Sequence, residues 1–186
     1  MGEYKFINEE LKIGTVTAKN RLVMPPMQTD KARMGRATED MIKYYRDRAV
    51  YSRPGLIITE HCYVAKGGRI EDQLSIADDS VIEDHYMDGG NTEEDAVEAA
   101  KLIEKAGADL LDVFGGMCGY IRAGHDEPGY FRSMTEKIKA SISMPVILTG
   151  GVKTLEDAEA LLEEGAADMI GAGRAILTNP VWGKRL

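Results

Sequence analysis

The sequence predicts an α/β protein built on a parallel sheet, and three features carry that prediction. Short apolar runs alternate with stretches of helical periodicity along the 186 residues, the pattern that strands joined by right-handed helical crossovers produce. A helix-Gly-Ala-Asp-strand pattern occurs twice, as KAGADLLDVFGG (105–116) and EEGAADMIGAGR (163–174), which is the quasi-repeat expected of a rotationally repeated βα architecture. Finally, the last two strands each open into a glycine turn, at Gly150-Gly151 and at Gly173-Arg174.

The elements follow in order. LKIGTVTAK (11–19) alternates apolar and polar residues around Gly14, predicting a short hairpin. Asn20 to Met27 reads as the first core strand running into a loop. Thr38-Glu39-Asp40 is a helix start, and Met41, Tyr44, Tyr45, Arg48 and Ala49 fall on one face of that helix. Pro54-Gly55 ends it, and residues 56–60 form a second strand, apolar enough to be buried in a parallel sheet. A loop at 65–73 precedes a helix start at Asp78-Asp79-Ser80, which stops at the Tyr86–Gly90 turn. Asn91-Thr92-Glu93-Glu94 caps a helix that runs to Ala106 and ends at Gly107. Ala108–Val113 is the next strand, closed by Phe114-Gly115-Gly116 and followed by a loop at 117–129 and a helix from Tyr130 to Ile142. Met144–Thr149 and Ala167–Ala172 are the last two strands, with one amphipathic helix between them.

Length and charge narrow the function. One domain is the simplest reading of the chain length, although about 250 residues is typical of an eight-unit barrel. A net charge of -8, with no Lys/Arg run, argues against nucleic acid or an anionic membrane as partner and favours a small-molecule ligand. Cys62 and Cys118 are too few for a disulfide framework, which fits a reducing cytoplasm. The start, MGEYKFINEELKIG, has no apolar signal core, and no run approaches the roughly 20 apolar residues of a membrane span.

The chemistry concentrates at the two glycine turns. Glycines let backbone N–H groups converge on an anion, and an arginine adds a fixed positive fork, so Gly150, Gly151, Gly173 and Arg174 read as a phosphate cradle. In α/β barrels such a site recurs after strands seven and eight. The competing explanation is that Gly150 and Gly171 permit close strand-helix packing. Asp78-Asp79 and Glu83-Asp84 read as a solvated acidic helix start rather than a metal site, and no metal is expected. Cys62 reads as a small apolar filler or a reactive thiol, and Tyr120, Tyr130 and Phe131 read as ordinary loop packing, with covering a ligand as the alternative.

NRLVMPPM (20–27), GLIITEH (55–61), QLSIADDSVIEDH (73–85), YMDGG with EDAVEAAKLIEKAGADLLDVFGG (86–116), PVILTGGV and ADMIGAGRAILTNP together resemble the flavin-dependent oxidoreductases of the old yellow enzyme or NADH:flavin oxidoreductase family. The resemblance covers nearly the whole chain. It implies an α/β fold derived from the TIM (β/α)8 barrel, but incomplete: His85 runs directly into Tyr86 where the family carries barrel strands three, four and five. Strands one, two, six, seven and eight remain, and around a barrel they are neighbours in the order six, seven, eight, one, two. The expected fold is therefore an arc with open edges on strands two and six, which could pair in a homo-oligomer. The expected domain is a single FMN-binding unit over 1–186, with 1–85 as its N-terminal part and 86–186 carrying the phosphate site.

The resemblance further implies FMN as cofactor, NADH or NADPH as reductant, and a small-molecule acceptor such as an electron-poor alkene. Pro26, Met27 and Gln28 match positions lining the isoalloxazine ring, His61 a position beside it, and Gly150, Gly151, Gly173 and Arg174 the phosphate site. The family's substrate-polarising and proton-donating residues belong to strands three to five. Neither His85 nor His125 matches them, so no catalytic residue is assigned. The alternative is a shortened, non-catalytic chain that binds FMN or phosphate, or serves as an assembly partner. A different phosphate-binding isomerase or lyase is disfavoured, because NRLVMPPM lacks the catalytic carboxylate or lysine usual at the end of strand one in those enzymes.

Overall fold

A computed structural model describes residues 4–31, 38–60, 93–114 and 124–186. Among them the hairpin forms first: β1 (Leu11–Ile13) and β2 (Val16–Ala18) pair antiparallel, with Gly14 at the tip in the left-handed region at φ +53°. β3 (Leu22–Met24) is buried at all three residues. Asn20 fixes its entry, its side-chain oxygen accepting from the Leu22 N–H at 3.1 Å and its amide donating to the Arg53 carbonyl at 2.9 Å.

Helix α1 (Glu39–Tyr51) starts where the sequence predicts, with the Thr38 hydroxyl accepting from the Met41 N–H at 3.2 Å. Of its expected inward face, Tyr44 and Arg48 are the buried residues. The Arg48 guanidinium lies 3.5 Å from the Tyr44 ring centroid and donates to the Leu177 carbonyl at 2.8 Å, tying the helix to the C-terminal segment. β4 is short, Leu56–Ile57, although the Ile58 N–H extends the ladder to the Met24 carbonyl at 2.9 Å.

Helix α2 (Glu93–Lys105) ends at Gly107, φ +95°, and leads to β5 (Leu111–Val113). Helix α3 spans Arg132–Lys139, shorter than the expected 130–142 because Tyr130 and Phe131 turn into the core instead of entering the helix. β6 (Val146–Thr149) is followed by α4 (Leu155–Glu163), which opens with a reciprocal capping box between Thr154 and Asp157. β7 (Met169–Gly171) runs straight into α5 (Gly173–Thr178), so Gly173 and Arg174 form the first residues of a short helix rather than an open turn.

The core sheet has the order β4-β3-β7-β6-β5 and every pairing in it is parallel. That is the arc expected for barrel strands two, one, eight, seven and six, with β4 and β5 at its two edges. Strand residues alternate between its faces. Leu22, Met24, Leu148 and Ile170 pack with α4, α5 and the Tyr130–Phe131 pair, while Val23, Ile147 and Met169 pack on Ile13 and Ala18 of the hairpin. The hairpin thus packs on one face of the sheet, at the end opposite the C-terminal strand ends. The N-terminal segment is also tied to this frame, since the Glu159 carboxylate accepts from the Phe6 and Ile7 N–H groups at 2.7 and 2.8 Å. The junction at His85-Tyr86 lies outside the described residues.

Candidate functional site

A cavity of about 640 Å³ lies at the C-terminal ends of the strands, within the rough 300–1,000 Å³ range of small-molecule sites. Two chain ends that are far apart in sequence meet there. Pro25, Pro26 and Met27 follow β3; Thr149 to Lys153 follow β6; Gly171 and Gly173 to Ala175 follow β7. Because β3 lies between β4 and β7, the first strand's exit loop is held beside the last strand's glycine turn. A hydrogen bond from the Thr29 N–H to the Glu60 carboxylate, at 2.5 Å, anchors the far end of that loop.

Six of the eight expected site residues line this cavity: Pro26, Met27, Gly150, Gly151, Gly173 and Arg174. Gln28 does not; its amide donates to Asp30 at 2.6 Å on the exposed side of the loop. His61 lies outside the described residues, as do Cys62, Cys118 and Tyr120.

The glycines have packing reasons of their own. A Cβ at Gly150 would come within 2.8 Å of the Tyr130 ring, and one at Gly151, where φ is +69°, would overlap the Glu127 carbonyl oxygen. At Gly173 it would press on Met27 Sδ at 3.1 Å. Close approach of the 124–131 segment therefore requires glycine at 150 and 151 whether or not an anion binds, whereas at Gly173 a shift of the flexible Met27 side chain by a few tenths of an ångström would make room. Among the described residues the Arg174 guanidinium donates to the Tyr130 hydroxyl, at a long 3.5 Å.

Several wall residues were not singled out by their sequence pattern. Lys153, two residues beyond the second glycine of TGGVK, donates to the Asp126 carboxylate at 2.6 Å and to its carbonyl at 3.2 Å. His125 Nδ1 lies 2.5 Å from Glu127 Oε1; a hydrogen bond from the Glu127 backbone first, and the His125 contact second, hold the Glu127 carboxyl below the ordinary glutamate range. Tyr130 and Phe131, edge-to-face at 4.7 Å, are buried packing residues as expected, and Tyr130 also reaches the cavity.

Thr149 forms part of the wall, and its hydroxyl donates at 2.8 Å to Oδ1 of Asp112 on β5. Burial is the larger influence on that carboxyl and pushes it up to about 6, against the Thr149 hydrogen bond, which favours the ionised form. Asp112 Oδ2 is buried with no hydrogen-bond partner among the described residues. Among these residues no group of three or more His, Cys, Asp or Glu could hold a metal ion, and no helix is long and apolar enough to cross a membrane.

A parallel α/β arc, with β4 and β5 at its edges among the described residues and a cavity at its C-terminal strand ends walled by prolines, a methionine, glycine turns and the side chains of Lys153 and Arg174, defines a barrel-derived α/β class of protein with a small-molecule-sized site. The sequence pattern of the NADH:flavin oxidoreductase / NADH oxidase family matches residues 7–88 and 86–186, and the chain belongs to that family. The two matched stretches meet at residues 86–88, where the sequence places the junction.

A "NADH oxidase" of Thermoanaerobacter brockii is 34% identical over 106 residues, covering 55% of this chain and 16% of that protein. A "Bilirubin reductase" of Mediterraneibacter gnavus is 39% identical over 104 residues, covering 53% and 16%. The chain thus spans about a sixth of the length of these relatives. Among solved structures, a 2-naphthoyl-CoA reductase superposes with TM-score 0.76 at 14% identity, covering 97% of this chain and 52% of the other. An old yellow enzyme homologue from Zymomonas mobilis gives TM-score 0.55 at 14% identity, covering 95% and 90%. At these identities the structural likeness supports the fold, and the fold is the incomplete barrel that the sequence predicts.

FMN is the cofactor of this family, with NADH or NADPH as reductant. The cavity fits such a group. Its prolines, Met27 and Phe114 offer apolar surface to a planar ring, and Arg174 and Lys153 bring positive charge to the glycine-turn end, where the first N–H groups of α5 lack intrahelical acceptors.

Proposed function

We propose that this chain is the FMN-binding part of an old yellow enzyme-type oxidoreductase that passes reducing equivalents from NADH or NADPH to a small-molecule acceptor, with electron-poor alkenes as the acceptor class. The observation that carries the reading is the meeting, in one cavity, of the Pro25–Met27 loop after β3 with Gly150, Gly151, Gly173 and Arg174 after β6 and β7. When bound, FMN supplies the hydride relay between donor and acceptor. The chain supplies the seat. Arg174 holds the phosphate by paired N–H donors, Gly151 and Gly173 keep the backbone close to it, and Pro26 and Met27 support one side of the ring. Gln28 and His61 belong to the proposed cofactor set by the family resemblance, and Gln28 would exchange its Asp30 hydrogen bond for one to the cofactor.

Lys153 is paired with Asp126, so Arg174 carries most of the phosphate charge and Lys153 supports it. Low-polarity walls strengthen that charge interaction by excluding water. On this reading 1–186 is proposed as a single domain, a reading supported by the contribution of residues from both 1–85 and 86–186 to the cavity.

The open edges at β4 and β5 favour a second reading, in which the chain binds FMN without turning over or works as one member of an assembly. Anaerobic addition of NADH or NADPH to the FMN-loaded chain separates the two. Loss of the flavin's visible absorbance, reversed by an acceptor, supports the enzyme; a stable bound oxidised flavin supports the second reading.

A further inference from the structure

Asp112 and Thr149 form a polar pair that the flavin seat does not otherwise use. Thr149 ends β6 at the cavity wall, and Asp112 lies on β5 next to it, in register with Ile147. Space for the pair comes from β7: a Cβ at Gly171 would overlap Thr149 Oγ1. Glycine there is what lets the hydroxyl sit over the neighbouring strand.

A hydroxyl has one proton and two lone pairs. We propose that Asp112 and Thr149 are a donor–acceptor switch in the wall of the cavity. With Asp112 ionised, its carboxylate holds the Thr149 proton and Thr149 offers a ligand only lone pairs. With Asp112 protonated, the carboxyl O–H donates to Thr149 Oγ1 and releases the hydroxyl proton to an acceptor atom of the ligand. The bonds balance, because one proton is taken up from solvent by the carboxyl and the hydroxyl bond rotates without breaking. Asp112 is a positioning residue here, acting through Thr149.

The surroundings suit such a pair. Asp112 Oδ2 is buried without a hydrogen-bond partner among the described residues, so the carboxylate is held through Oδ1 alone, and the proton that makes the carboxyl a donor to Thr149 sits on Oδ1. Burial raises the affinity of this carboxyl for protons and the Thr149 hydrogen bond opposes it, with no contribution from a charged neighbour among the described residues. β6 faces it with Thr149, and β7 brings Met169 and Gly171. Asp109, against Gly14 of the hairpin, and Asp168, paired with Lys139, lie at the opposite strand ends. Above the pair the wall carries His125, Asp126, Lys153 and Arg174, of which Asp126 and Lys153 are bound to each other and His125 to Glu127.

The inference rests on the flavin reading for its ligand: oxidised isoalloxazine carries carbonyl and imine acceptors, so the protonated pair favours it. Two measurements test it. In the ligand-free chain, carbon-13 NMR should show the Asp112 carboxyl titrating near pH 6, with the Thr149 side-chain resonances following the same midpoint. FMN affinity should then be compared between the wild type and Asp112→Asn at pH 5 and pH 7.5, so that the phosphate's own titration cancels. The wild-type to variant affinity ratio should rise about fivefold at the lower pH, the worth of one net hydrogen bond, and Thr149→Val should abolish the change. Titration of Asp112 in the ordinary range near pH 4, or a ratio that does not move with pH, overturns the switch. If FMN binds at no pH, the flavin reading falls while the coupled NMR titration still decides whether the pair switches.

Discussion

Replacing Asp112 by Asn should change how the stability of the fold depends on pH, by an amount set by burial. The carboxyl ionises near 6 in the folded chain against an ordinary 3.8, so about two pH units, or about 3 kcal/mol, separate its two environments. The folded value is raised for an acid, which fixes the sign. Folding carries no penalty from this group well below its unfolded pKa, loses stability as pH climbs through the interval, and bears the full cost above the folded pKa. Between pH 4.5 and pH 8 the wild type should therefore lose about 2 kcal/mol relative to Asp112→Asn, which cannot ionise. Any constant effect of the amide, such as an unsatisfied N–H, cancels in that difference. Urea unfolding of both proteins at the two pH values measures it through their midpoints and slopes. Parallel pH dependences would refute the reasoning, since they would mean that Asp112 is solvated or paired in the folded chain.

Other substitutions test the frame around the site. Gly151→Ala should cost about 2 kcal/mol or more in urea unfolding, because its positive φ and the overlap with the Glu127 carbonyl act together. Thr154→Ala should cost about 1 kcal/mol by the same assay, because it removes half of the capping box that starts α4. Gly171→Ala should destabilise by about 1–3 kcal/mol through the overlap with Thr149 Oγ1. Combining it with Thr149→Gly should recover most of that loss in a double-mutant cycle.

Much of this fold was legible because its local signals agree with its global arrangement. The Thr38 cap, the Gly14 hairpin and the Gly107 stop each named an element boundary correctly. The strand order followed from the family resemblance, which placed the first and last strands as neighbours. Boundaries were less legible where tertiary packing overrides pattern. Tyr130 and Phe131 look like helix openers but are drawn into the core, and Gly173 reads as a turn residue yet begins α5.

The site was legible only in part. Gly150, Gly151, Gly173 and Arg174 stood out as a motif, whereas Lys153 and Asp126 meet only because the 124–131 segment folds back over the β6 turn. Asp112 was hidden inside the GADLLDV strand, where its acidity looked like ordinary alternation. No periodicity distinguishes a carboxylate buried beside a cavity from one facing solvent. The glycine turns also carry a lesson: packing against Tyr130 and Glu127 accounts for glycine at 150 and 151, so the charged Arg174 discriminates phosphate binding better than those glycines do.

The central claim is that this arc of strands holds FMN by a cradle centred on Arg174. Titration of FMN into the purified chain and into Arg174→Ala, followed by flavin fluorescence and visible absorbance, tests it most directly. The account predicts saturable binding of one FMN per chain, weakened about tenfold or more by the substitution while circular dichroism stays unchanged. No binding by the wild type, or equal affinity in the two proteins, would contradict it.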